Sequence, residues 1–365
     1  MKVGLVLGAG GVMGGAWLTG GLHALATETG WDPASADRVV GTSAGSMIGA
    51  LLASGVPPWF MVAHSAGETF EGLADADGRP QSEGSRAGGA EFNLDLWPPP
   101  LWPGSPQLIV RSLTRPDRHT PSAVLGGWLP SGFISNEPLR ETVRRVVPSG
   151  WSDHPCLWIV ACDYANGRRV AFGREDAPPA ELADAVAASC SIPGFYKPVK
   201  IAGRRYVDGG LWSTSNLDIL RNEQCDLVIC LNPSSSLHPP QAWNPAERLM
   251  GAFRRVSGRR LGSETKKLRE VGTEVVLIQP TTEDHSVMGP NLMATRNRHP
   301  VIETAIETVT AQLRERGVRE LLAKLPPGAD HKVRRPPGPP STWPDDLPGR
   351  RPPAATTTVG DAEAI

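Results

Sequence analysis

The first apolar run of the chain, Val3 to Leu7, has no polar interruption and stops at Gly8, the pattern of a short strand buried on both faces. After a glycine turn, a helix-permissive stretch extends from about Gly14 to Glu28, where Gly30 stands as a C-terminal cap. Arg38-Val39-Val40 reads as a second strand. It meets another glycine turn at Gly41 and an apolar helix from Met47 to Ala53, with Gly55 beyond its end. Strand, helix, strand, helix in the first 55 residues predicts a parallel sheet covered on both faces.

From Gly67 to Pro130 the periodicity fades and Pro, Gly and Trp take over, as in Leu96-Trp97-Pro98-Pro99-Pro100-Leu101-Trp102-Pro103. This stretch is expected to be a cap or insertion and not sheet. Regular patterning returns with helices at Glu137 to Val147 and Glu181 to Ala188, and with strands at Leu157 to Cys162, Asp226 to Leu231 and Val275 to Ile278. Ala246 to Glu270 and Val301 to Leu325 read as two further helices. Beyond Leu325, runs such as Arg-Arg-Pro-Pro-Gly-Pro-Pro bury too little apolar surface to offset their ordering entropy. The expected organisation is one domain over 1–325, with the insertion at 67–130, and a disordered Pro-rich tail over 326–365.

Composition narrows the function. Lys and Arg total 37 against 38 Asp and Glu, so no overall charge draws the chain to nucleic acid or to an anionic membrane. Five cysteines without a CxxC pair disfavour a disulfide framework and a zinc knuckle. The N-terminal apolar run is too short for a signal-peptide core, and no later stretch reaches membrane-spanning length. A cytoplasmic location is expected, with any membrane contact peripheral.

Three segments carry candidate chemistry. Gly41-Thr42-Ser43-Ala44-Gly45 is a G-x-S-x-G between a predicted strand and a predicted helix. With glycine at 40 of 365 positions, a chance match somewhere in the chain has odds of roughly one in four. Its position at a strand-to-helix turn is what makes it a nucleophile-elbow candidate, with Ser43 presented at a helix N-terminus. Gly8-Ala9-Gly10-Gly11-Val12-Met13-Gly14-Gly15 is a loop whose backbone amides suit a phosphate or an oxyanion. It lacks the Lys-Ser or Lys-Thr of a P-loop and the glycine spacing of a dinucleotide fingerprint. A nucleotide-binding role for Gly8 to Gly15 stays open on these residues alone. Val207-Asp208-Gly209-Gly210 places an acid at the end of a short strand-like run, a pattern that is first of all a turn signal. None of the eight histidines has a comparable setting, so a Ser-His-Asp triad lacks an obvious third member.

Taken together, the glycine loop, the G-x-S-x-G and the D-G-G, in that order and at wide spacing, resemble the patatin-like phospholipase family. Ala188-Ser189-Cys190-Ser191-Ile192-Pro193-Gly194-Phe195 is similar to the family's A-S-x-x-I-P-x-x-F segment, with its phenylalanine one position early, and Gly132 to Leu139 is similar to its loop before a helix. The resemblance implies a patatin-like three-layer α/β sandwich with a mostly parallel central sheet. It implies hydrolysis of lipid acyl esters of the phospholipase A or lysophospholipase type, with Ser43 as nucleophile, Asp208 as base and amides of Gly10 and Gly11 as the oxyanion hole. No metal or organic cofactor is implied, and a catalytically silent lipid-binding relative would carry the same fold. The chain departs from the family at Ala9, at Met13, where a basic residue is usual, and at Ser215-Asn216-Leu217-Asp218, where an N-x-P pattern often follows.

Overall fold

The computed structural model describes residues 1–66, 102–115, 120–236 and 245–326. Its strands are β1 (Val3–Leu7), β2 (Arg38–Thr42), β3 (Leu157–Asp163), β4 (Arg169–Phe172), β5 (Val199–Ile201), β6 (Arg204–Asp208), β7 (Leu227–Leu231) and β8 (Glu274–Ile278). The helices are α1 (Gly11–Thr29), α2 (Ala44–Ala53), α3 (Pro58–Ala66), α4 (Pro106–Thr114), α5 (Pro121–Trp128), α6 (Glu137–Arg144), α7 (Leu182–Ser189), α8 (Pro245–Arg269), α9 (Thr282–Met288), α10 (Arg298–Arg314) and α11 (Arg316–Leu322). The strands form one sheet in the order β5-β6-β3-β2-β1-β7-β8, with β4 also paired to β3. Strands β3, β2, β1, β7 and β8 run parallel, whereas β4 and β6 are antiparallel to β3.

The unbroken apolar strands follow from burial on both faces. Alternate residues point to opposite sides of a strand, so Leu5, Leu7, Val39, Ile159, Ile229 and Leu231 enter one core while Val6, Val40, Val160, Val228 and Cys230 enter the other. The first core is covered by α1, α2, α7 and α10 through Trp17, Leu22, Leu52, Val186, Ile302 and Val309. The second is covered by Leu261 and Leu268 of α8 and by the 3-10 helix Leu217–Asn222. This is the three-layer α/β arrangement with a mostly parallel sheet that the pattern predicts.

Several readings differ in detail. The helix expected over Val301 to Leu325 is two helices, because Glu315 takes an extended conformation (φ −56°, ψ 135°) that ends α10 and starts α11. The turn carries Leu322 into the first core, a change of direction that periodicity does not register. Strands β4 and β5 were too short, at four and three residues, to stand out as apolar runs. Within the Pro- and Trp-rich stretch, the described residues form α4 and α5, joined by a bridge between Pro103 and Pro130. Trp97 and the chain beyond Pro326 lie outside the described residues.

The tight crossing of α1 and α10 depends on Gly20, where an added Cβ would press on the Ile302 carbonyl oxygen and come within 2.9 Å of the Ala305 Cβ. Alanine normally favours a helix over glycine by about 1 kcal/mol, but overpacking a core contact costs about 1–3 kcal/mol. Backbone has no rotamer with which to give way, so the overpacking wins at Gly20. Gly20→Ala is therefore expected to lower the melting temperature, whereas Gly262→Ala on α8, where nothing lies within 4 Å, is expected to raise it. Thermal unfolding of the two variants measures both signs.

Candidate active site

Strand β2 ends at Thr42, and Ser43 follows in a positive-φ conformation (φ 53°, ψ −120°) before α2 begins at Ala44. Such backbone costs a non-glycine residue about 1–3 kcal/mol and persists only where neighbours enforce it. Here the neighbours are identifiable. The Ser43 amide donates to Ser189 Oγ at 2.8 Å, and its carbonyl accepts from Ser46 Oγ at 2.6 Å. The bend also needs bare backbone on either side. A Cβ at Gly41 would lie 2.5 Å from the Gly45 carbonyl oxygen, and one at Gly45 would overlap the Leu7 carbonyl. The sharp turn leaves Ser43 at the N-terminus of α2, 5% exposed.

Asp208 reaches this point through the pairing of β3. Ile159 and Val160 pair with Gly41 and Thr42 of β2 on one edge, and with Phe172 and Ala171 of β4 on the other. One residue later Ala161 pairs with Val170 of β4 and, on the edge that β2 has just left, with Asp208 of β6. Strand β6 thus takes up the edge where the chain turns away at Ser43. The Ser43 hydroxyl lies close enough to the Asp208 carboxyl to lower its pKa, and the Gly210 amide donates to Asp208 Oδ1 at 2.7 Å. Burial raises the Asp208 carboxyl to about 6, against the opposing pull of the Ser43 hydroxyl and the Gly210 amide. The same carboxylate reinforces burial in raising the thiol of nearby Cys190 to about 12, so that cysteine stays neutral.

The glycine loop lies against both groups. Gly45 packs on Leu7 and Gly8, and a Cβ on Gly210 would be 3.6 Å from that of Ala9. Amides on either side of the loop are committed: Gly8 to Leu231, Ala9 to Thr214, Met13 to Leu292 and Gly14 to Gly10. Those of Gly10, Gly11 and Val12 between them have no acceptor among the described residues. These three N–H groups open α1, where the helix dipole favours negative charge. Met13, fully buried, packs into the first core.

One loop, Ser213 to Leu217, ties the three segments together. Thr214 accepts from the Ala9 amide at 2.7 Å, and Asn216 Nδ2 donates to Thr42 Oγ1 at 3.1 Å, to Ser213 O at 2.6 Å and to Gly209 O at 3.4 Å. Asn216 sits in the left-handed region (φ 52°), which asparagine tolerates better than most residues. The loop is anchored on buried Glu264 of α8, whose Oε2 accepts from Ser215 Oγ at 2.6 Å and the Leu217 amide at 3.0 Å while Oε1 accepts from Arg260 Nε. The two further segments singled out in the sequence also meet here. Ser189 Oγ bridges the Ser43 amide to the Val160 carbonyl, the Ser191 carbonyl accepts from the Asp208 amide, and Asn136 Nδ2 donates to Ser191 Oγ at 3.1 Å.

Sequence reasoning singled out Ser43, Asp208, Gly10 and Gly11, and the fold brings them together. It did not assign roles to Ser46, Ser189, Asn216 or Glu264. The signal for Glu264 was an acid on the apolar stripe of α8 marked by Leu261, Thr265 and Leu268. Among the described residues no histidine is hydrogen-bonded to Ser43 or Asp208. Buried His285 is held neutral, down to about 3, by burial and by the charge of Arg254.

The patatin-like phospholipase family model matches residues 5–221, more than half of the chain and all of these segments. The chain belongs to the patatin-like phospholipase family. Members of this family are typically lipid acyl hydrolases. The chain is also similar to VipD from Legionella pneumophila, whose crystal structure it matches at 14% identity and a TM-score of 0.40, covering 86% of this chain and 66% of that one. It therefore spans just under two thirds of the length of that protein.

Asn216→Leu removes three donated hydrogen bonds and places a branched side chain at positive φ. It is expected to destabilise the fold by about 2–4 kcal/mol. Asn216→Asp, which keeps the shape but loses the donors, should fall between the two in chemical denaturation. Equal stability of all three proteins would rule out the clamp.

Proposed function

We propose that this patatin-like chain hydrolyses lipid acyl esters, of the phospholipase A or lysophospholipase type, with Ser43 as nucleophile and Asp208 as base. The observation that carries the reading is the close approach of two buried side chains, Ser43 at a helix N-terminus and Asp208, beside a loop with three amides that have no acceptor among the described residues. A serine hydroxyl attacks an ester only when a positioned base takes its proton. Asp208 is in contact with it, and burial makes this carboxylate a better base than one in water.

In the proposed cycle Ser43 Oγ bonds to the ester carbonyl carbon as its proton passes to Asp208. The carbonyl oxygen becomes an oxyanion held by the amides of Gly10 and Gly11, where loss of one such donor typically costs about 3 kcal/mol. Collapse of this intermediate breaks the bond to the leaving alcohol, which receives the proton from Asp208 and departs. Water then attacks acyl-Ser43, gives its proton to Asp208, and the released fatty acid leaves Ser43 reprotonated. The scheme involves no metal or organic cofactor.

Ser43→Ala and Asp208→Asn are each expected to lower kcat for ester cleavage by at least about 10³-fold while the protein stays folded, and the double variant should be hardly worse than either alone. A fluorophosphonate probe should label wild type at Ser43 and leave Ser43→Ala unlabelled. A histidine variant as inactive as Ser43→Ala, alongside an active Asp208→Asn, would overturn the dyad.

Proton acceptance needs ionised Asp208, so kcat/KM should rise with pH through about 6 and then level off. Stability runs the other way. The raised folded-state value means the native protein keeps a proton that the unfolded chain releases, so this group's contribution is full below about 4 and is lost as pH rises through 6. Urea unfolding at several pH values should show that component in wild type and not in Asp208→Asn.

A further inference from the structure

We propose that the outward side of α4 and α5 is a docking face for an anionic lipid bilayer, delivering lipid to the Ser43–Asp208 site; the delivery role rests on the ester-hydrolase reading. The two helices pack on each other where Leu108 fits against Gly127, and α5 packs inward where Gly126 meets Leu211 and Pro193. Leu211 is three residues from Asp208, and Pro193 belongs to the segment whose Ser189 and Ser191 hold the dyad's backbone. The inner side of the pair therefore borders the candidate site.

Its outer side is apolar without a covering partner among the described residues. Val110 and Leu113 of α4 and Leu125 and Trp128 of α5 are exposed, as are Leu129 and Trp102 beside them, with Leu113 76% and Trp102 78% accessible. Trp102 is held near the end of α5 by the Pro103–Pro130 bridge and the Gly104 amide, which donates to the Leu129 carbonyl at 2.8 Å. A grouping of large apolar side chains of this kind on a water-facing surface marks an interaction site. Two tryptophans among leucines suit the boundary between headgroups and acyl chains, where an indole buries its ring and keeps its N–H wet.

Charge selects the bilayer as occupant. Residues 102–115 and 120–130 contain no carboxylate, and Arg111 stands exposed on α4. Exposed Arg111 reaches across to the Ala165 carbonyl, and exposed Arg205 lies over the ring of Tyr164, whose hydroxyl donates to Gly126 O of α5. A cationic rim around an apolar centre matches anionic headgroups over acyl chains.

The test uses the full chain carrying Ser43→Ala, so that binding is read without turnover. It should co-sediment with vesicles of phosphatidylcholine mixed with phosphatidylglycerol, bind less to phosphatidylcholine alone, and lose affinity in high salt. Adding Leu125→Ser and Trp128→Ser should weaken partition by at least about tenfold. In an otherwise wild-type chain these two replacements should leave turnover of a short soluble ester and the melting temperature unchanged. Arg111→Glu should weaken binding to the anionic vesicles selectively. Vesicle binding unchanged by Leu125→Ser and Trp128→Ser would overturn the proposal. So would a change from dimer to monomer in those variants with no change in vesicle binding, which would make a second copy the occupant. Inactivity of wild type on every ester with vesicle binding intact would sink the hydrolase reading and leave the docking face standing.

Discussion

Everything at the candidate site depends on one shared strand edge. Strand β3 presents the same side first to β2 and then to β6, and the exchange falls between Val160 and Ala161. A parallel strand that simply continued past Thr42 would occupy the place where Asp208 sits. Because the chain turns out of the sheet at Ser43, the edge is free for an antiparallel strand, and an acid meets a hydroxyl across the gap. The bare backbone at Gly41 and Gly45 makes that departure sterically possible.

A site assembled from chain segments this far apart needs to be held as a unit, and its polar bonds do so cooperatively. Ser189 fixes the amide of Ser43, Ser191 fixes that of Asp208, and Asn216 spans Thr42 and Gly209. The side chains of Ser189 and Asn216 are fully buried, so an unmade bond from either would cost the desolvation of its polar group. That penalty is what gives the network a single geometry. It also lets Ser43 keep an unfavourable backbone conformation, the strain being offset by bonds that form only in that conformation.

The environment tunes as well as positions. Burial raises the Asp208 carboxyl toward neutrality, while the Ser43 hydroxyl and the Gly210 amide keep its ionised form accessible. Positive backbone potential comes from two helix starts, α1 and α2, that face the same spot because both follow parallel strands at one end of the sheet. The buried methionine at position 13 adds no charge there.

The sequence by itself determined the α/β class, most of the central strands and long helices, and the sharp bend at Ser43, while the grouping of Ser43 with Asp208, Gly10 and Gly11 came from its resemblance to a family. Unbroken apolar runs report burial on both faces, and glycines spaced around a serine report a bend that side chains would block. Both are local constraints written into consecutive residues. Only the tertiary structure decided that β6 occupies the edge vacated by β2, that Asn216 and Glu264 clamp the site, and that the helix after Val301 breaks at Glu315. The short strands β4 and β5 likewise become strands through their partners and not through their own patterning. These features depend on pairings between residues tens to hundreds of positions apart. A buried asparagine or glutamate reads as an ordinary polar residue until the fold supplies the donors and acceptors around it.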